Sequence, residues 1–364
     1  MNMIRIRKAI VNSIIKKNDS ITIIDVSFDN KIEKAINYNY LSGEVRINDT
    51  VYINSSANYL KLGTGGYNFV IINETRGGRT EIDQCNHIMK LKYTPLQIKC
   101  SLPPEKSKDY YEKVNAFKDL QGMKVIIGEL HSMLSPTACC LKYIDKKLTI
   151  VYIMTDGGSL PIDFSFTVSE LKNKNIISYT ITTGNAFGGD MEAVNIYDAL
   201  IIAYSFLKCD IAIVTMGPGM LGTGTKYGFS GIELGFIIDC INTIKGIPVF
   251  IPRISFRDLR KRHYGISHHT LTILSEVAKT KAQVVFPIYD SIKMDYIKSQ
   301  ISMSDIETKH ILHFIDDSTV FKALEFYNVN VSTMGRGLYE DKEFFMACSS
   351  AASFALSILN MKLP

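Results

Sequence analysis

The hydrophobic pattern of the chain changes near residue 100. Before that point, short apolar runs alternate with polar positions at a period of two, and Asn, Asp and Gly turns separate them. From residue 123 onward, near-continuous apolar runs alternate with longer stretches of helical periodicity. The first pattern is typical of a small all-β barrel or sandwich. The second predicts an α/β domain with a mostly parallel, doubly wound sheet.

The best candidate for a domain boundary is the segment SLPPEKSK, residues 101–108, where two prolines end the β pattern. We therefore predict domains at residues 1–102 and 103–364. The strands predicted in the second domain are 125–128, 149–154, 178–182, 211–215, 249–251, 283–286 and 311–314. The predicted helices lie between them, near 136–142, 166–171, 192–207, 230–244, 268–279, 291–299 and 318–326.

Polar or glycine-rich segments follow most of these predicted strands. In open parallel sheets, ligands bind outside the carboxyl ends of the strands. Turns alone do not require acids, histidines and arginines at so many strand ends, so the pattern predicts a ligand site there. The segments are 129–132, 155–158, 183–192, 217–228, 253–258 and 333–337.

The segment DIAIVTMGPGMLGTGTKYGFSG, residues 210–231, joins a predicted strand to a helix through a glycine-rich loop. Such a loop can present backbone N–H groups to a phosphate or carboxylate. It has neither the Walker A sequence nor the Rossmann glycine register, and a structural crossover loop is the alternative. The predicted anion-binding residues are Gly217, Gly219, Gly222, Thr223, Gly224 and Thr225, with Arg253 and Arg257 from the next strand end.

Four residues are candidates for catalysis. Asp156 and Asp190 follow adjacent predicted strands, where two carboxylates suit a divalent cation or acid–base work; Asp190 equally suits a helix N-cap. His131 and His268 are candidate proton shuttles. Because His268 and His269 point to different sides of a helix, we expect at most one of them to line a pocket. No local ligand spacing supports a His/Asp metal site, so a divalent metal cofactor stays an open alternative.

Charge and composition narrow the function classes. The net charge of +5 and the 21% content of charged residues are ordinary for a soluble globular protein and weak for a dedicated nucleic-acid binder. The basic stretch 253–269 suits an acidic small molecule, a nucleic acid or a solvated face. Its cluster at 257–262, together with Arg76 and Arg79, is the basis for the alternative function, that of a regulatory or nucleic-acid-binding protein. We expect affinity in that case to fall steeply with salt.

Cysteine usage and hydropathy predict the compartment. Seven cysteines without a C-x-x-C pair, and an N-terminus without signal-peptide features, predict a cytoplasmic protein with reduced thiols. No stretch is apolar and long enough to span a membrane. The apolar segment 343–361 is interpreted as a buried terminal helix, with a homodimer interface as the alternative.

Several phrases together resemble one uncharacterised bacterial family, known only as a domain of unknown function. The resemblance covers nearly the whole chain but implies no activity and no site residues. GGDMEAVN and STMGRG also resemble Gly-Gly-Asp and Met-Gly-Arg fragments of phosphofructokinases, which favours a phosphorylated ligand. The family motifs are LGTGGYNFV, GELHSMLSP, MTDGGSLP, AFGGDMEAVN, MGPGMLGTGT and RISFRDLRKRHYGISHHT.

Overall fold

The computed structural model describes residues 3–63, 65–77, 88–100, 108–158 and 160–359. The chain divides into two compact units, Met1–Cys85 and Asn86–Pro364. The predicted boundary between residues 102 and 103, and also Arg79, lie outside the described residues. That boundary therefore stays a prediction.

The first unit is a closed five-stranded barrel, which confirms the interpretation of the period-two pattern. Its strands are β1 (Ile6–Lys17), β2 (Ile21–Phe28), β3 (Lys31–Tyr38), β4 (Thr50–Asn54) and β5 (Asn68–Asn73). They close in the order β1-β2-β3-β5-β4, and short helices α1 (Asn39–Ser42) and α2 (Ser56–Tyr59) connect them. Alternate side chains point inward, so that Ile24, Val51 and Ile53 form part of a fully buried core.

The second unit is organised on an eight-stranded sheet in which every pairing is parallel. The short strands β6 (Ile88–Lys90) and β7 (Ile98–Cys100) form a separate pair. The sheet strands are β8 (Lys124–Gly128), β9 (Ile150–Thr155), β10 (Tyr179–Thr183), β11 (Met191–Ala193), β12 (Ile211–Met216), β13 (Ile247–Ile251), β16 (Gln283–Pro287) and β17 (Ile311–Ile315). Two further pairs are β14 (Ile254–Ser255) with β15 (Gly265–Ile266), and β18 (Ser332–Thr333) with β19 (Arg336–Gly337).

Helices cover both faces of this sheet, as a doubly wound sheet requires. One buried cluster joins Ile126, Tyr152 and Ile213 to helices on one face, and a second joins Val125 and Ile127 to helices on the other. The helices are α3 (Lys108–Asn115), α4 (Leu134–Ile144), α5 (Phe166–Asn173), α6 (Ile196–Ile201), α7 (Glu233–Thr243), α8 (His268–Thr272), α9 (Ser291–Ser302), α10 (Ile306–Lys309), α11 (Thr319–Tyr327) and α12 (Lys342–Ser357).

All seven strands predicted in the second domain are confirmed, but the interpretation of 192–207 as one helix is wrong at its beginning. Residues Met191–Ala193 form the edge strand β11, and α6 begins only at Ile196, with Asn195 as its cap. Asp190 is therefore not a helix N-cap: it lies beside β10 and accepts hydrogen bonds from Thr180. The predicted terminal helix is present as α12 and is largely buried.

The strand order is β11-β10-β9-β12-β8-β13-β16-β17. From the neighbouring strands β8 and β13, the chain continues in opposite directions along the sheet, to β9 and to β16. Such a switch point opens a crevice at the carboxyl ends of the strands. Among the described residues, no helix has the length and apolarity needed to cross a membrane.

Candidate functional site

A cavity of about 580 Å³ lies where β8, β12 and β13 end. Three arginines and three histidines line it, and none of the described residues that line it is acidic. The cavity therefore presents a positive surface at the sheet edge where the sequence predicts a ligand site. These basic and imidazole side chains are His131, Arg253, Arg260, Arg262, His263 and His269.

The glycine-rich loop after β12 forms one wall of the cavity. Its predicted anion-binding residues Gly217, Gly219, Gly222 and Gly224 all line the space. Gly219 has a φ of 101°, a backbone conformation that side-chain-bearing residues avoid, so glycine is needed to shape the loop here. The structure therefore brings the backbone of the predicted loop to the cavity.

The two threonines predicted in the loop do not line the cavity. The hydroxyl groups of Thr223 and Thr225 lie 2.9 Å apart, and the Thr223 hydroxyl donates to the carbonyl oxygen of Gly228 at 3.2 Å. Neighbouring Lys226 forms an ion pair with Glu276. These side chains therefore stabilise the shape of the loop.

Glu129, directly after β8, is the centre of a buried polar network behind the cavity. Its side chain is fully buried. It accepts hydrogen bonds from Thr270 Oγ1 at 2.8 Å and from Arg253 Nη1 at 3.4 Å, and its Oε1 lies 3.2 Å from His269 Nδ1. Burial alone would raise the pKa of Glu129, but the His269 hydrogen bond and the Arg253 charge hold it below its ordinary value. Glu129 is thus a carboxylate that fixes Arg253 and His269 in the wall.

Asp258 holds Arg260 in a similar way. Arg260 donates two hydrogen bonds to its carboxylate, at 2.9 and 2.7 Å, and Arg253 Nη2 lies 3.6 Å away. The hydrogen bond from Arg260 lowers the pKa of Asp258 against the opposing effect of burial. Arg262, by contrast, is exposed and has no acidic partner within 4 Å in the described part of the chain. Its charge is available to a ligand.

His131 is the predicted catalytic residue that lines the cavity. Its Nδ1 lies 3.1 Å from Tyr152 Oη, and its Nε2 lies 2.7 Å from Ser165 Oγ. Ser165 Oγ also accepts a hydrogen bond from Val168 N at 3.1 Å, which fixes the position of this hydroxyl beside the ring. Burial lowers the pKa of His131 to about 4.

The structure does not bring the two predicted catalytic aspartates together. Asp156 accepts from the amide of Asn185, past the carboxyl end of β10. Asp190 bonds Thr180, near the beginning of the same strand, and forms an ion pair with Lys172. Neither aspartate lines the cavity, because the Gly-Gly-Asp segment enters β11 and carries Asp190 back along the sheet.

Two more predicted residues lie outside the cavity lining, Arg257 and His268. Arg257 is exposed. Of the adjacent histidines in α8, His269 lines the cavity and His268 does not. His268, His269 and His263 nevertheless lie close together, with one ring nitrogen of each within 4.8 Å of the others.

Five residues that build the wall were not among the individually predicted site residues. Glu129 was part of a polar strand end, and the others were part of a basic stretch that suits an acidic small molecule, a nucleic acid or a solvated face. An acidic residue directly after a fully apolar strand was the available signal for Glu129, because a buried acid needs a cationic partner. The five residues are Glu129, Arg260, Arg262, His263 and His269.

The basic groups of the nucleic-acid alternative are partly engaged within the chain. Arg76 forms an ion pair with Asp49 at 3.0 Å, and Arg260 is held by Asp258. Arg79 lies outside the described residues. The alternative stays a prediction.

Fold and cavity together define a parallel α/β-sheet protein with a basic cleft at the carboxyl ends of its strands. The chain belongs to the family described as "Protein of unknown function (DUF3866)", whose model matches residues 34–352. This match confirms the resemblance to a family of unknown function. No curated protein matches the chain.

Proposed function

We propose that this protein binds an anionic, phosphorylated small molecule in the cavity at the ends of β8, β12 and β13. The observation that carries the proposal is the lining itself, which contains three arginines and no carboxylate among the described residues. A volume of about 580 Å³ lies within the range of small-molecule sites. The ligand is therefore of the size of a sugar phosphate or a nucleotide.

The three arginines differ in what they offer to the ligand. Arg253 and Arg260 are held in place by buried carboxylates, so they are preorganised for an anion. Arg262 is exposed and has no acidic partner among the described residues, so its guanidinium can pair with phosphate in two-pronged fashion. The backbone of Gly219 and Gly224 lies opposite as a source of N–H donors.

The proposal includes a cytoplasmic location. It assigns any chemical reaction of the ligand to His131, the predicted catalytic residue that lines the cavity. Because both of its ring nitrogens have hydrogen-bond partners in the protein, a ligand hydroxyl would exchange a proton with His131 only by replacing Tyr152 or Ser165. The cysteines that the structure describes are all free thiols, which is typical of a reducing compartment. Roles for Asp156, Asp190 and Arg257 in the reaction stay predictions.

A thermal-shift experiment with the full chain tests the proposal, using inorganic phosphate, sugar phosphates and nucleotides in the presence of a chelator. A ligand at about 100 times its Kd stabilises the native state by about 2.7 kcal/mol, which raises Tm by about 5 °C. Arg262→Gln should weaken binding about 10- to 100-fold, since a charge-assisted hydrogen bond contributes about 1.5–3 kcal/mol.

Lys261→Gln is the matched control, because Lys261 is an exposed cation next in sequence that does not line the cavity. It should leave binding unchanged. A panel without any shift, or equal losses in both variants, would contradict the proposal; equal losses would instead favour attraction by the general charge of the basic stretch.

A further inference from the structure

Three imidazole rings cluster beside the cavity, and one ring nitrogen of each lies within 4.8 Å of the other two. His263 ends a 3₁₀ turn, whereas His268 and His269 begin α8. Strand β15 lies between these two segments in the chain and is held in place by its pairing with β14. The cluster therefore arises from residues that the fold brings into one place on a short, well-braced connection.

The outer nitrogens of two rings already have hydrogen-bond partners. His263 Nδ1 lies 2.8 Å from Ser267 Oγ, and His269 Nδ1 lies 3.2 Å from the buried carboxylate of Glu129. Metal-binding histidines usually bond an oxygen through one ring nitrogen and the metal through the other. The Nε2 atoms are thus the available ligands. The bond from Arg262 Nε to His263 Nε2 measures 3.4 Å, which is long enough for a metal to replace.

His268 supplies a second, independent observation. Its Nε2 is buried and has no hydrogen-bond partner among the described residues. An unsatisfied buried polar atom destabilises the folded protein, so its retention needs a cause, and a bound ion is one.

We propose that the Nε2 atoms of His263, His268 and His269 bind a divalent transition-metal ion, with Zn²⁺ as the preferred ion. Neutral imidazole ligands suit Zn²⁺, Co²⁺, Ni²⁺ and Cu²⁺ rather than Mg²⁺ or Ca²⁺. Three protein ligands leave one tetrahedral position open, as in catalytic zinc sites. His263 and His269 also line the cavity, so the open position adjoins the space where the ligand binds.

The charges around the cluster allow a cation in spite of the nearby arginines. The side chains of Glu129 and Asp258 are 0% and 3% exposed and offset Arg253 and Arg260. Zn–N bonds of about 2.0 Å require nitrogens about 3.3 Å apart. Since the three ring nitrogens lie within 4.8 Å of one another, the rings must come closer together on binding. A phosphate that joins the metal to Arg262 would add a further negative charge, and this last step alone rests on the proposed function.

The test is a metal titration of the full chain, stripped with a chelator and kept in a phosphate-free buffer. Co²⁺ alone should produce the visible absorption of a tetrahedral complex, with one ion bound per chain, and Zn²⁺ should displace it. Because no anion is present, this result does not depend on the phosphate-binding experiment. No tetrahedral spectrum, or no Zn²⁺ bound at equilibrium dialysis, would overturn the proposal.

Substitutions assign the ligands. His268→Ala should lower Co²⁺ affinity more than 100-fold while the metal-free protein keeps or raises its Tm, because the change removes an unsatisfied nitrogen. Glu129→Gln should lower the affinity about 10- to 100-fold. His313→Gln, on β17 and outside the cluster, is the control that should bind normally. Unchanged affinity in His268→Ala and in His269→Gln would overturn the assignment.

Discussion

At the residue scale, His131 shows how packing determines the behaviour of a titratable group. Both of its ring nitrogens have hydrogen-bond partners, Tyr152 and Ser165, inside the protein. Burial lowers its pKa to about 4, from an ordinary value of 6.5. Between pH 6.5 and pH 4, the unfolded chain therefore binds a proton that the folded chain does not. The free energy of unfolding must decrease as the pH is lowered through that window.

We expect His131→Gln to reduce this acid sensitivity. Between pH 7 and pH 5, the His131 contribution to the free energy of unfolding should fall by about 2 kcal/mol in the wild type and be absent in the variant. Urea unfolding at the two pH values measures the difference. His263 and His268 have lowered pKa values of the same origin, so part of the sensitivity should remain. An equal loss of stability in both proteins would contradict the prediction.

Sequence reasoning at this scale is most specific where one residue type carries the information. The glycines of the loop were predicted from their spacing, and four of them line the cavity, while their role in anion binding stays a prediction. Sequence reasoning did not distinguish His268 from His269. Neighbouring residues on a helix differ in the direction of their side chains, and which direction faces the cavity depends on how the helix packs. Glu129 contacts Thr270, 141 positions away in the chain, and no local pattern contains such a partner.

At the element scale, the apolar runs predicted the parallel sheet well because its strands are buried on both faces. Seven such strands were identified, whereas β11 was not. That strand has three residues, and its central Glu192 is buried through an ion pair with Lys90 at 2.7 Å. Lys90 is 102 positions away from Glu192, so the sequence near Glu192 does not show that this acid has a partner. Without that partner, the local pattern of β11 looks the same as the acidic first turn of a helix.

The contact of α7 with the turn after α8 depends on Gly235. A Cβ atom there would lie 2.6 Å from Val277 Cγ1 and 3.0 Å from the amide nitrogen of Ala278. We expect Gly235→Ala to destabilise the protein by about 1–2 kcal/mol, since overpacking outweighs the gain of about 1 kcal/mol in helix propensity. Urea unfolding measures the loss.

A double-variant cycle identifies the cause of that loss. Val277→Ala removes the methyl group nearest to the added Cβ, so the two substitutions together should destabilise less than the sum of their separate effects. Strictly additive free energies would show that the helix does not pack closely at this position.

At the scale of the whole molecule, the barrel and the α/β unit have separate hydrophobic cores. A compact unit with its own core can unfold as its own cooperative transition. Calorimetry of the full chain should therefore resolve two transitions. Two matched isoleucines assign them, because Ile53 in β4 and Ile213 in β12 are both fully buried. Ile53→Ala should destabilise the barrel by about 2–5 kcal/mol and lower the Tm of the barrel transition alone. Ile213→Ala should lower the Tm of the α/β transition alone. A single transition that both substitutions shift would contradict independent unfolding.

Phosphate or Zn²⁺ should raise the Tm of only the transition that Ile213→Ala lowers, because the cavity and the histidine cluster belong to the α/β unit.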